Sequence, residues 1–190
     1  MPDSGITKNA LSTALKELML LHPLAKISVG DICARCGMNR KSFYYHFKDK
    51  YDLVNWIFHT EFFHLLQVQL PEDADDWAAI LCLCEYFSDN KEFYRNALSV
   101  QGQNSFYEFF GETIANIIRP EITASIDNPV HSEFYTNFFT DAFRGVILRW
   151  LSESEKLPPQ EFICLLHNAV YSISHRVLTE KNNDFTGGAK

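Results

Sequence analysis

Between Asn39 and Lys50 the chain brings together Asn39, Arg40, Lys41 and Ser42, then Tyr44, Tyr45 and His46, and finally Lys50. These side chains carry donors and cations but supply no nucleophile with a base beside it. The chemistry they suit is the gripping of a polyanion. Arg and Lys can fork onto guanine O6 and N7, and Asn can pair with adenine. Tyrosine hydroxyls and ammonium groups suit phosphate oxygens. A solvated helix face would show many of the same residue types, so position has to decide.

The elements that would hold these residues are short helices. Ser28 with Asp31 three residues on is a capping-box signature, and Val29, Ile32, Cys33 and Cys36 fall on one helical stripe. Gly37 suits the left-handed conformation just past a helix end. Asn39 can cap a third helix over about 40–46, with Phe43 and Phe47 as its buried pair. Two short helices joined at a glycine form a helix-turn-helix, whose second helix presents its N-terminal residues to base edges in the major groove. On that reading Asn39, Arg40, Lys41 and Ser42 face bases. Lys50 lies in the first turn of the next helix, where the macrodipole disfavours a cation by ~0.3–1 kcal/mol. A phosphate at that helix start would reverse the sign. Tyr44 and Lys50 are therefore expected at phosphates, with Tyr45 and His46 able to reach the same backbone.

Charge supports a basic head on an acidic body. Residues 1–58 hold eight Lys/Arg against five Asp/Glu, and the remainder nine against nineteen, which together give the net −7 of the 190-residue chain. Apolar residues make up 46%, enough for a sizeable core. No apolar run approaches the ~18 residues of a membrane span, so no membrane partner is expected. The N-terminus MPDSGITKNA lacks a signal-peptide pattern, which makes the cytoplasm the expected location. Cys33 and Cys36 look like half a zinc site, but no second pair follows, so core packing is the expectation and no metal is anticipated.

Helical periodicity continues through about 76–88, 91–99, 103–126, 131–152 and 159–180, with turn chemistry between. The fold class read from this pattern is all-α. A three-helix N-terminal bundle with the helix-turn-helix precedes a larger bundle for ligand binding and dimerisation, about nine helices in all. Residues 1–52 are expected to form the DNA-binding head and 53–190 the regulatory and dimerisation domain, whose first helix starts near 50.

Residues 6–58 resemble the N-terminal domain of the TetR/AcrR family of transcriptional regulators. The likeness is carried by Ile27-Ser28-Val29 with Asp31-Ile32, Gly37, the run Phe43-Tyr44-Tyr45-His46-Phe47, Lys50 and Leu53. The segment CGMNRKSFYYHFKDKYDLVNW is most similar to the dihydroxyacetone-kinase operon activator type within that family. The resemblance implies a symmetric dimer on a palindromic duplex, base contacts from the start of the recognition helix, and phosphate contacts that include Ser28. At Gly30 the chain departs from relatives that carry a polar or basic residue there.

In the body, Phe134, Phe138, Ile147 and Trp150 on one helix and Phe162, Leu166, Ile173 and Val177 on the next are candidates for the dimer interface, although such stripes serve internal packing equally well. Tyr86, Phe87, Tyr94, Phe106, Tyr107 and Phe110 are candidates to line a ligand pocket or to fill a core. The input is expected to be a small effector or a partner protein, and the alternative reading is a co-regulator acting chiefly through a partner. No cofactor is expected. His59 and His64 stand five apart, ~140° round a helix, which suits no shared metal, and no catalytic motif appears. No enzyme activity is expected.

Overall fold

A computed structural model of the chain describes residues 4–71, 73–153 and 157–179, with side chains from 5 to 172. Among the described residues there are nine α-helices and no strand. The head begins with α1 (Ser4–Leu21), which buries Leu11, Ala14, Leu15 and Met19 on one stripe. Beyond Pro23, which cannot extend the helix, a 3-10 turn at Leu24–Lys26 leads into α2 (Val29–Arg35). Gly37, at φ +68°, makes the corner into α3 (Arg40–His46).

Helix α4 (Lys50–Gln69) starts in the head and runs into the body. Asp49 caps it, accepting from the Tyr51 and Asp52 amides at 2.8 Å each. The body continues with α5 (Asp76–Asp89), α6 (Lys91–Leu98), α7 (Phe106–Ser125), α8 (Pro129–Ser152) and α9 (Pro159–Thr179). Helices α7 and α8 form a long hairpin, α5 packs on α9, and α6 reaches back to α1.

The body's centre is aromatic. Phe58 of α4 packs within 6.4 Å, centroid to centroid, of Phe62, Tyr86, Phe87, Tyr94, Phe106, Phe109 and Phe110. The expected pocket residues therefore need correcting. Phe87, Tyr94, Phe106 and Phe110 are buried against one another and fill space, and of the group Tyr86 reaches a surface cavity, a polar one beside Leu65, Gln69 and Glu85. Tyr107 lies half-buried under the Arg144 guanidinium, 3.8 Å from its ring centroid. Cys33, Cys82 and Cys84 are buried thiols of the core.

A polar chain runs through this core from head to body. Lys16 of α1 donates to both carboxylate oxygens of Glu61 at 2.5 and 2.6 Å. Tyr86 donates to the same carboxylate at 2.8 Å, and its hydroxyl lies 2.6 Å from that of Tyr94. Burial pushes both phenols far above the ordinary tyrosine range, so both stay neutral hydrogen-bonding groups.

Candidate nucleic-acid interface

Local bonding fixes the frame of the helix-turn-helix. The Ser28 hydroxyl accepts from the Asp31 amide at 3.2 Å, while its own backbone N–H and hydroxyl donate to the Asp31 carboxylate at 2.8 and 2.7 Å. These bonds, led by the one from the side chain, hold the Asp31 carboxyl below its usual range. Ser28 thus has both donors committed to Asp31, and the expected phosphate contact from it would require breaking the capping box.

At the next helix, Asn39 Oδ1 accepts from the Ser42 amide at 2.9 Å and from the Ser42 hydroxyl at 3.2 Å. Bidentate pairing with adenine needs that oxygen as well as Nδ2. Asn39 and Ser42 therefore act here as the cap of α3, which leaves Asn39 Nδ2 as the donor available to a base.

Lys50 also differs from expectation. Its ammonium donates to the carbonyls of Leu24, Ala25 and Ile27 at 2.6, 3.2 and 2.7 Å. Burial pushes its pKa down and the neighbouring Asp49 pulls it up. The three protons go to the 3-10 turn and its exit, so the cation that looked misplaced on the helix dipole has carbonyl partners.

The same turn is gripped from the body. Asn96 of α6 accepts from the Leu24 amide at 2.8 Å and donates to the carbonyls of Met19 and His22 at 3.2 and 2.9 Å. Sequence reasoning missed Asn96, which lies more than seventy positions from its partners.

What remains outward on α3 is a short ridge. Phe43 and Phe47 are buried, and residues two positions either side of Phe43 point ~160° away from it. Those residues are Lys41 and Tyr45, and Tyr45 is 81% exposed. Tyr44 is exposed beside them, its ring edge-on to Phe43. His46 is half-buried and packed between Tyr45 and Phe47. Lys48, which sequence reasoning did not single out, extends the exposed cationic edge.

Residues 11–57 match the family model described as bacterial regulatory proteins, tetR family. Residues 75–172, more than half of the chain, match the TetR model described as transcriptional regulator C-terminal region. The chain belongs to the TetR family. It is a transcriptional regulator with a DNA-binding helix-turn-helix, and not an enzyme.

Among curated proteins it is 31% identical, over 111 residues, to the HTH-type dhaKLM operon transcriptional activator DhaS of Lactococcus lactis subsp. lactis (strain IL1403). That match spans 58% of this chain and 57% of the relative. The fold is shared with the dihydroxyacetone kinase operon activator DhaS, at TM-score 0.57 and 21% identity over 88% of this chain and 96% of that one. It is also shared with a TetR transcriptional regulator from Streptococcus agalactiae 2603V, at TM-score 0.68 and 20% identity over 88% and 94%.

In the body, the expected dimer-interface residues of α8 and α9 need a second correction. Phe134 and Phe138 are 64% and 47% exposed, but Ile147 and Trp150 are 1% and 2% exposed and pack within the chain. Phe162 and Leu166 are buried too, Phe162 stacked on Trp150 at 4.6 Å. The side chains of Ile173 and Val177 lie outside the described residues. The outward apolar side chains are instead Val130, Phe134, Phe138 and Val146 on α8, with Leu165 and Tyr171 on α9.

Elsewhere, a cavity of about 270 Å³ opens between α5, α7, α8 and α9, lined by Trp77, Ile80, Ile118, Ile122 and Phe139 with Asp76 and Glu121. None of the expected pocket aromatics lines it. No described helix is long and apolar enough to cross a membrane.

Proposed function

We propose that this regulator binds a palindromic DNA operator as a homodimer, in the cytoplasm, with one α3 in each of two successive major grooves. The observation that carries the reading is the α3 ridge of Lys41, Tyr44 and Tyr45, exposed on a frame in which Asn39 Oδ1, Ser42 and Lys50 are bonded internally. Lys41 and Asn39 Nδ2 meet base edges, while Tyr44 and Tyr45 reach phosphates. Half-sites ~34 Å apart along the duplex require two heads held at fixed separation, which a two-fold pairing of α8 and α9 supplies. Phe134, Phe138 and Leu165 give that face its apolar centre. The acidic body stays clear of the phosphates.

Binding is tested by selecting duplexes from a random pool and measuring their affinity as salt is raised. The reading expects an inverted repeat and a steep loss with salt. A protein that enriches no sequence would overturn it.

A small effector in the body is the favoured input, because the cavity between α5, α7, α8 and α9 is apolar with two carboxylates, a lining suited to an apolar molecule with a cationic end. The rival input is a partner protein. Filling the cavity with Ile122→Trp should abolish an effector response and leave a partner response intact. The name of the Lactococcus relative, an operon transcriptional activator, makes activation the first regulatory outcome to measure.

A further inference from the structure

Arg40 does not share the ridge of Lys41 and Tyr45. It precedes Phe43 by three residues, only ~60° round the helix from the buried face, and it leans towards α2. Its guanidinium lies on Gly30. A Cβ built on Gly30 would fall 2.5 Å from Arg40 Nη2 and 3.3 Å from both Cζ and Nε. Any side chain at position 30 must push the guanidinium away. The Asp31 carboxylate lies near enough for Arg40's charge to bear on it, after its bonds from Ser28 and its own partial desolvation.

Glycine is a poor helix former, and Gly30 stands in the first turn of α2, where alanine would serve the helix better. The space it leaves is the space that Arg40 occupies. We propose that Gly30 is a positioning residue for DNA binding: by carrying no side chain it seats the Arg40 guanidinium across the first turn of α2, presenting it to the phosphate backbone beside the major groove and not to a base edge. The proposal rests on α3 being the DNA-reading helix.

The seat matters for two reasons. A planar guanidinium can offer two parallel N–H donors to one phosphate, a geometry that a lysine lacks. A long side chain already held in its bound position also loses less conformational freedom on binding.

The experiment compares native protein, Gly30→Ala, Arg40→Ala, Arg40→Lys and the Gly30→Ala/Arg40→Ala double variant on a selected duplex and on a scrambled one, across a salt series. Gly30→Ala should weaken both duplexes about 2- to 10-fold, the effect of freeing one flexible side chain, with their affinity ratio kept. Arg40→Ala should weaken both and lower the salt slope by ~1, again with the ratio kept. Arg40→Lys should keep the slope and lose affinity. In the double variant, Gly30→Ala should add nothing to Arg40→Ala.

Thermal melting separates binding from folding, since Gly30→Ala should melt no lower than the native protein. Three results overturn the proposal: an equal effect of Gly30→Ala with and without Arg40, no effect at all, or a changed affinity ratio in Arg40→Ala, which would make Arg40 a base reader. If the native protein binds neither duplex, the DNA-binding reading fails and takes this one with it. If the native protein binds and Gly30→Ala is indifferent, only the seat is lost.

Discussion

In the head, residues 28–52 are held by polar side chains bonded to nearby backbone: Ser28 and Asp31, Asn39 and Ser42, Asp49, and Lys50 on three carbonyls. In the body, residues 58–110 are held by rings packed on rings around Phe58. The head is too small to bury much apolar surface, and each of its short helices needs its ends satisfied. The body can rely on burial. The outward-facing rings differ in the same way. Those of the head are tyrosines beside cations, suited to a charged, hydrogen-bonding partner. Those of α8 are phenylalanines, suited to another apolar surface. On the proposed reading the two surfaces meet two unlike partners, and substitutions on each should fail differently.

The largest effect should come from Phe58→Ala, which opens the aromatic core. A buried Phe→Ala change costs about 3–5 kcal/mol, so urea unfolding should show a midpoint lowered accordingly. A small change would mean the ring cluster is not the body's main support. Next in size, Phe134→Glu should remove about 2 kcal/mol or more of association energy and give monomers in sedimentation, with thermal stability of the isolated subunit unchanged. Trp150→Ala should do the reverse, weakening the fold first. If both variants behave alike, the division between inward and outward faces of α8 is mistaken.

Lys50→Met sharpens the contrast inside the head. Leaving its carbonyls without their donor should cost about 1–3 kcal/mol of stability, read by chemical unfolding. Because Lys50 is bonded to the 3-10 turn, the salt slope of DNA binding should stay as it was. A slope lowered by ~1 would restore Lys50 to the phosphates. Asn39→Ala should cost about 0.5–2 kcal/mol as a lost cap, and Asn39→Asp should recover most of it in the melting temperature.

The smallest effect is one of pH. The Asp31 carboxyl is held below its usual range by its Ser28 bonds, so its contribution is present above the ordinary aspartate pKa and is lost as pH falls through the lowered folded value. Asp31→Asn should flatten that acid limb in thermal melts of the protein, and an unaltered limb would discount the capping box.

What could be read from sequence was what is local. Ser28 with Asp31, Asn39 with Ser42, and Gly37 act over three or four residues, and their roles follow from spacing alone. The internal partners of Lys50 were not legible because its carbonyls lie 23 to 26 positions earlier, so the dipole argument found a cation without them. The dimer face was misread for a geometric reason. Phe134 and Phe138 lie ~40° apart on α8, whereas Ile147 and Trp150 fall ~160–220° round from Phe134, so one apolar roster merged two opposite faces. The aromatic-rich stretch signalled rings but not whether they enclosed space or filled it, since that depends on neighbours brought from α4 and α7.

The corner between α1 and α2 is held on one side by Lys50 and on the other by Asn96. Such a joint behaves as a knuckle with two tendons. Sliding α6 would either tow the knuckle or strain the three links that Asn96 makes. If the proposed effector shifts α6, this joint is where the acidic half would first pull on the basic half.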